Sequence, residues 1–433
     1  MAPEQESGAN GGCHVKRVLM VAFHFPPVSG SSGIQRSLRF AQFLPSLGWQ
    51  PTVISAHPRA YERTSLDLLQ DIPDTVNVVR AFAFDAVRQL SIGGRYPGFV
   101  ARPDRWWPWR IGAVIEGLKL IRQQDFDVIW STYPIPTAHQ IGATLHRRSG
   151  IPWVADFRDP MAQDGYPTDP LTWRAFQAIE QHTVAHAARS VFTTPGAAQA
   201  YRDRYGHVAR ERFAVIENGY DEPTFALAQA RADTSGSLLP GRVTLLHSGI
   251  VYPSERDPTR LLEALAMLRA DGTIAENSFR LRFRASEHDA MIESLANSMG
   301  VRDLVELLPP IPYGEALGEM LRADALLVMQ ASNCNAQIPA KLYEYLRAQR
   351  PILALTDPAG DTAQVVLQAG IPAIAPLDSA GAIAELIKRF ISEKNGHRAW
   401  IASRSSVQRA SRQARAAELA GLLDQVVAHE GQA

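Results

Sequence analysis

Residues 17–48 read RVLMVAFHFPPVSGSSGIQRSLRFAQFLPSLG, and the order of parts within that stretch decides the fold class. Arg17–Phe23 is an apolar run of strand length without alternation, the pattern of a strand buried on both faces. It stops in a loop rich in Pro, Gly and Ser. Ile34, Leu38, Phe40, Ala41 and Leu44 then recur at roughly helical spacing, and Gly48 reads as the stop. Strand, loop and helix in this order make the first half of a parallel β–α–β unit.

Working outward, short apolar runs recur at Thr52–Ser55, Val76–Ala81, Val128–Ser131, Pro152–Ala155, Ser190–Thr193 and Phe213–Ile216, most of them separated by helical patterns. Residues 226–241, ALAQARADTSGSLLPG, break the alternation and read as an interdomain linker. A second series follows at 243–248, 279–284, 304–308, 325–329 and 351–355, with a short run near Ala373. The expected architecture is α/β, with two Rossmann-like parallel-sheet domains: the first over 15–228 and the second over 240–396. A helical tail at 397–428 is expected to pack back on the first. A chain of 433 residues is long enough to bury both cores.

Lys+Arg and Asp+Glu each number 44, so no net charge favours nucleic acid, and any anion site must be local. Cys13 and Cys334 stand far apart without ligand spacing, which fits a reducing compartment; cytoplasm is the expectation. The first fourteen residues lack the basic start and apolar run of a signal peptide, and no apolar stretch reaches spanning length.

Ligands of open parallel sheets bind beyond the carboxyl ends of the strands, so residues just after each strand are the candidates. Gly30-Ser31-Ser32-Gly33 lets backbone approach a phosphate or sugar at a helix start, with Arg36 one turn inward; a tight turn is the plain alternative. After the fourth strand comes Thr132. After the fifth come Asp156, Arg158 and Asp159, two acids flanking an arginine that can bind sugar hydroxyls or orient an acceptor, or that form only a salt-bridge cluster. Asp125 and Asp127 match a metal-holding D-x-D pattern but precede their strand, on the side away from ligands, so no metal is expected. In the second series, Gly249 and Arg256 lie between the strand VTLLHS and the next helix pattern, a pairing suited to a diphosphate. Pro339 is expected in the first turn of another helix, with Lys341 supplying a second cation and Glu344 a ribose acceptor. Arg102, Arg105, Trp106, Trp107, Trp109 and Arg110 form a basic-aromatic cluster that either meets a membrane surface or packs the following helix.

Taken together, FHFPPVSGSSGIQR, FDVIWSTYPIPTAHQIG, IPWVADFRDP, FAVIENGYD, LLHSGIVYPSERDPTRLLEALAML and IPAKLYEYLRAQRPILAL resemble, in order, segments of the retaining glycosyltransferases of family 4 (group 1), in a subset with an R-D-P signature. The resemblance implies a GT-B fold and no bound cofactor. A nucleotide-diphospho-sugar donor would be held by the second domain through Gly249, Arg256, Lys341 and Glu344, with Gly30 and Gly33 lining the phosphate and sugar. A glycan or other acceptor would be held by the first, near Thr132, Asp156, Arg158 and Asp159; if the basic-aromatic cluster meets lipid at the inner face of the membrane, a polyprenyl-linked acceptor is expected. Three positions depart from the family pattern: Ala336 replaces the first of two glutamates, Ile250 a basic residue, and Thr132 a histidine, the nearest being His139. Two alternatives of other classes stay open: a nucleotide-sugar-binding module without activity, and a non-transferase such as an epimerase.

Overall fold

The computed structural model describes residues 15–30, 33–91, 93, 95–231, 236–393 and 397–430; Cys13, Ser31 and Ser32 lie outside them. Strands β1 (Lys16–Val21), β2 (Trp49–Ala56), β3 (Asn77–Ala81), β4 (Val128–Thr132), β5 (Trp153–Arg158), β6 (Arg189–Phe192) and β7 (Phe213–Val215) form one sheet in the order β3-β2-β1-β4-β5-β6-β7. Strands β8 (Val243–Ser248), β9 (Phe279–Arg284), β10 (Val305–Leu308), β11 (Ala325–Gln330), β12 (Ile352–Thr356) and β13 (Ile374–Ala375) form the second, in the order β10-β9-β8-β11-β12-β13. Neighbours pair in parallel, as β1 with β2 from Lys16↔Trp49 to Val21↔Ile54 and β8 with β9 from Val243↔Phe279 to Ser248↔Arg284. Both sheets reverse their winding once, between β1 and β4 and between β8 and β11. A crevice therefore opens at the carboxyl ends of those strands.

By contacts, the described residues up to Ser190 group with those from Ala416 onward, and Val191–Arg415 form a second unit. In the first, Val18, Leu19, Met20 and Val21 are fully buried, as a strand covered on both faces requires. The helix Gly33–Phe43 seals one face with Ile34, Leu38, Phe40 and Ala41. Gly48, in the left-handed region at φ 84°, receives the chain after the last turn. In the second unit, Leu245, Leu246, Leu281, Phe283, Leu326 and Leu327 form the corresponding core.

Two readings of local structure need correction. Ala226–Arg231 is not loop but the end of the helix Glu222–Arg231, which buries only Phe225 and Ala228; a face that narrow leaves little apolar period to read. The helix expected to open at Pro339 begins at Lys341, and the Pro339 carbonyl instead accepts its first-turn bond from Leu342 N at 2.9 Å. The tail forms helices Arg404–Arg409 and Arg412–Glu430. Asp424 on the latter accepts from Trp49 Nε1 at 3.0 Å and pairs with Lys16 at 2.7 Å.

In the basic-aromatic cluster the indoles turn inward. Trp109 is fully buried, and the Nε1 groups of Trp106 and Trp107 donate to the carbonyls of Ala60 and Val100. Arg105 is held by Asp85 and Glu62. Packing of the helix Trp109–Gln123 thus accounts for the tryptophans. No helix of the described residues is long and apolar enough to cross a membrane.

Candidate active site

At the carboxyl end of β8, His247 is fully buried and carries the arrangement that organises the second unit. Its Nδ1 lies 3.0 Å from the Leu327 carbonyl on β11, a pure acceptor, so Nδ1 bears the hydrogen. Nε2 is then a lone pair, and it accepts from Lys341 Nζ at 2.9 Å. The lysine is therefore anchored by a neutral imidazole rather than by a carboxylate. Burial pushes the Lys341 ammonium well below the usual lysine range, the nearby Arg256 charge adds to this, and Glu344 opposes it. Burial and the Lys341 charge likewise hold His247 well below its ordinary value.

Gly249 follows at φ +110°, where a Cβ would stand 3.1 Å from Lys341 Nζ. Any other residue would be strained there and would crowd the cation. Arg256 is fixed by its surroundings: its NH1 donates to the Ile250 carbonyl at 3.0 Å, and its guanidinium stacks on Tyr252 at 5.1 Å. Ile250 thus serves through its backbone, whatever its side chain. The Arg256 Nε is buried and has no hydrogen-bond partner among the described residues. No side chain caps the helix Lys341–Ala348, and one turn inside it Glu344 accepts from the Tyr313 hydroxyl at 2.6 Å. Burial raises the Glu344 carboxyl above its usual range. Two cations, an unspent donor, a glycine and an uncapped helix start therefore collect at the end of β8, a set that suits a diphosphate.

Ala336 lies apart from this set. A Cβ on Gly196 would stand 2.8 Å from the Ala336 Cβ, and the Ala336 carbonyl accepts from Thr194 Oγ1 at 2.7 Å. The loop is packed there, where the Asp361 carboxylate accepts from Gly196 N at 2.7 Å.

In the first unit the expected residues divide into two groups. Asp156 is fully buried and bound on both oxygens by Arg36, at 2.9 Å each, with Thr132 Oγ1 donating at 3.0 Å. This closed triad ties the helix after the glycine loop to β4 and β5. Outside it, Arg158 is half-buried with its NH1 3.4 Å from the Tyr133 carbonyl, and Asp159 is exposed. Arg158 adopts φ +61°, and Asp159 N donates to the Phe157 carbonyl at 2.7 Å, a three-residue turn of the strained kind. The Asp159 side chain reaches the surface, yet its carboxyl is raised by the protein mass around it against the pull of Arg158 and Arg36. Beside them is His24, lowered to about 4 by burial and by Arg158. Gly30 is exposed at φ +82°, and Gly33 is buried at the helix start.

His24, His247, Tyr252 and Tyr313 went unread in the sequence. His24 and Tyr252 follow the first strands of their series, so the same carboxyl-end rule pointed at them; His247 was hidden inside an apolar strand. His139 is buried on the sheet face, 2.8 Å from Ser131 Oγ. Asp127 accepts from Arg17 N at 2.6 Å, clamping the amino edges of β1 and β4. Among the described residues no group of three His, Cys, Asp or Glu could hold a metal ion.

Residues 32–219 match the model of a glycosyl transferase 4-like domain. Two curated relatives are D-inositol 3-phosphate glycosyltransferases. That of Geodermatophilus obscurus is 28% identical over 48% of this chain and 47% of its own length. That of Streptosporangium roseum is 25% identical over 74% and 73%. The chain thus spans about half the length of the first. Among solved structures, Anabaena HepE in complex with UDP and glucose aligns over 95% of this chain and 100% of its own, with a TM-score of 0.64 at 13% identity. Sucrose-phosphate synthase from Thermosynechococcus elongatus aligns over 96% and 100%, with 0.63 at 14%. The two parallel sheets and these neighbours establish the GT-B fold.

Proposed function

We propose, from the premise that residues 32–219 match a glycosyl transferase 4-like domain, that the chain is a glycosyltransferase. It moves a sugar from a nucleotide-diphospho-sugar to a hydroxyl of a glycan or lipid-linked acceptor, with retention and without a metal. The observation that carries this reading is the meeting of Gly249, Arg256 and Lys341 at the end of β8. In the reaction the bond from the anomeric carbon to the phosphate oxygen breaks, and the acceptor oxygen bonds to that carbon on the same face. The acceptor proton passes to an oxygen of the departing diphosphate, so no strong protein base is needed. Arg256, Lys341 and backbone amides stabilise the charge that develops on the leaving group, and Glu344 with Tyr313 accepts the ribose. Arg158 and Asp159, with Gly30 and Gly33 nearby in sequence to the same helix start, orient the acceptor. Asp156 and Thr132 act indirectly, by holding Arg36. Family 4 resemblance, UDP in the HepE structures and a chain matching inositol-phosphate transferases support the reading; polysaccharide or glycoconjugate synthesis at the cytoplasmic face of the membrane is its setting.

The test is turnover of a panel of sugar nucleotides in excess EDTA, with the anomeric configuration of the product followed by NMR. Release of nucleoside diphosphate with retention is expected. Tight binding of the donor without any cleavage would favour the second reading, a binding module, for which the packing of Ala336 against Gly196 is the supporting feature. Conversion of the donor without acceptor or release would favour an epimerase.

A further inference from the structure

The first unit contains a cavity of about 470 Å³ between the helices Pro136–Ser149 and Pro170–His186, lined also by Arg102 and Pro103. Ala143, Ala178 and Ile179 make part of its wall apolar, and Arg102, Arg110 and Arg147 make part of it basic. The charge is poorly compensated. Arg102 meets Asp169 at 3.3 Å on the exposed side, while its buried Nε has no partner among the described residues. Among the described residues, Arg110 has only a 3.5 Å side-chain contact with Thr144 Oγ1. Arg147 is exposed, and its charge reaches His182, whose imidazole is lowered by burial first and then by His186 and Arg147.

A second observation concerns His139, fully buried in the same wall. Trp153 Nε1 donates to Ser131 Oγ at 2.8 Å, and indole nitrogen can only donate. The hydroxyl proton of Ser131 is then available to His139 Nδ1, also at 2.8 Å. With Ser131 donating to Nδ1, the imidazole hydrogen lies on Nε2, which is buried and without a partner among the described residues. The cavity therefore combines three guanidinium groups, an unspent imidazole donor and an apolar wall. Guanidinium forks match the multiple acceptor oxygens of a phosphate.

We propose that this cavity binds a phosphate monoester, the anion among Arg102, Arg110 and Arg147 with His139 Nε2–H donating, and the carbon portion against Ala143, Ala178 and Ile179. The site stands whether or not the chain transfers sugars. The ester can come from a lipid headgroup or from a soluble metabolite. Ile111 and Ile115, 55% and 60% exposed on the helix that carries Arg110, mark where a bilayer would meet the protein.

The experiment is calorimetric titration of the full chain with octyl phosphate, inorganic phosphate and octyl glucoside, repeated in Arg110→Glu and Arg147→Glu. Both positions are exposed, and unchanged urea midpoints establish that the variants fold. Octyl phosphate is expected to bind at least about tenfold tighter than inorganic phosphate, octyl glucoside not to bind, and each variant to lose about tenfold or more, each being the loss of a charge-assisted contact. Absence of octyl phosphate binding, equal binding of octyl glucoside, or unchanged affinity in both variants overturns the site. Co-sedimentation with phosphatidylcholine vesicles containing phosphatidic acid, lost in Arg147→Glu, assigns the ester to lipid; octyl phosphate binding without vesicle capture assigns it to a soluble ester. Either of these upholds the site.

Discussion

Lys341 is held by His247, a partner without charge, beside a second cation, which makes it a lysine whose proton depends on what else is bound. A diphosphate brings negative charge that favours the ammonium, so its binding raises the Lys341 pKa from its lowered value and draws a proton from solvent. Calorimetry of UDP binding in Tris and in Pipes at the same pH is expected to give heats that differ in the sense of proton uptake, with affinity falling as pH rises; equal heats would contradict this reading of the lysine. Gly249 tests the same contact sterically. Because its φ is +110° and an added Cβ would come within 3.1 Å of Lys341 Nζ, Gly249→Ala is expected to cost about 1–3 kcal/mol of backbone strain, read as a lower urea midpoint together with weaker nucleotide binding. Arg256, Lys341 and Glu344 stand out in the sequence as candidates because each sits just past a strand or at a helix start. Their orientation by His247, the Ile250 carbonyl and Tyr313 was not, because those partners are brought in by other strands and loops.

Among the elements, the turn at the end of β5 separates a buried acid from an exposed one within four residues. Asp156 lies inside, bound to Arg36 and Thr132, and Asp159 lies outside. Removing one partner of a buried ion pair leaves the other charge uncompensated, so Asp156→Ala is expected to cost about 3–5 kcal/mol. Asp159→Asn should leave the unfolding midpoint nearly unchanged and lower transfer. Equal stability losses in the two variants would erase the distinction. The sequence showed an acid-arginine-acid cluster after a strand but not which acid pointed inward, since Arg36 lies 120 residues away. The helix after β4 adds a pH effect. Burial holds His139 at about 3, against 6.5 when unfolded. The unfolded chain thus takes up a proton below pH 6.5 that the native chain refuses until about pH 3, and His139 makes stability fall as pH drops through that window. Urea midpoints at pH 7.5 and pH 5 are expected to show the loss; a midpoint that rises at pH 5 would contradict it.

Over the whole molecule, one strand order is used twice, and in each sheet a crevice opens at the carboxyl ends next to the reversal of winding. The repeated strand, loop and helix rhythm made this architecture readable, because parallel strands covered on both faces are continuous apolar runs that need no long-range information. What escaped were segments with weak periodicity, such as Ala226–Arg231, and the inward packing of Trp106, Trp107 and Trp109, for which composition fits a core and a membrane surface equally. The proposed function puts donor recognition at the end of β8 and the start of the helix Lys341–Ala348. The decisive measurement is the affinity of nucleoside diphosphates for the intact chain and for Arg256→Ala. Loss of a charge-assisted contact of about 1.5–3 kcal/mol weakens binding roughly tenfold to a hundredfold; unaltered affinity in a folded Arg256→Ala protein would place the diphosphate elsewhere.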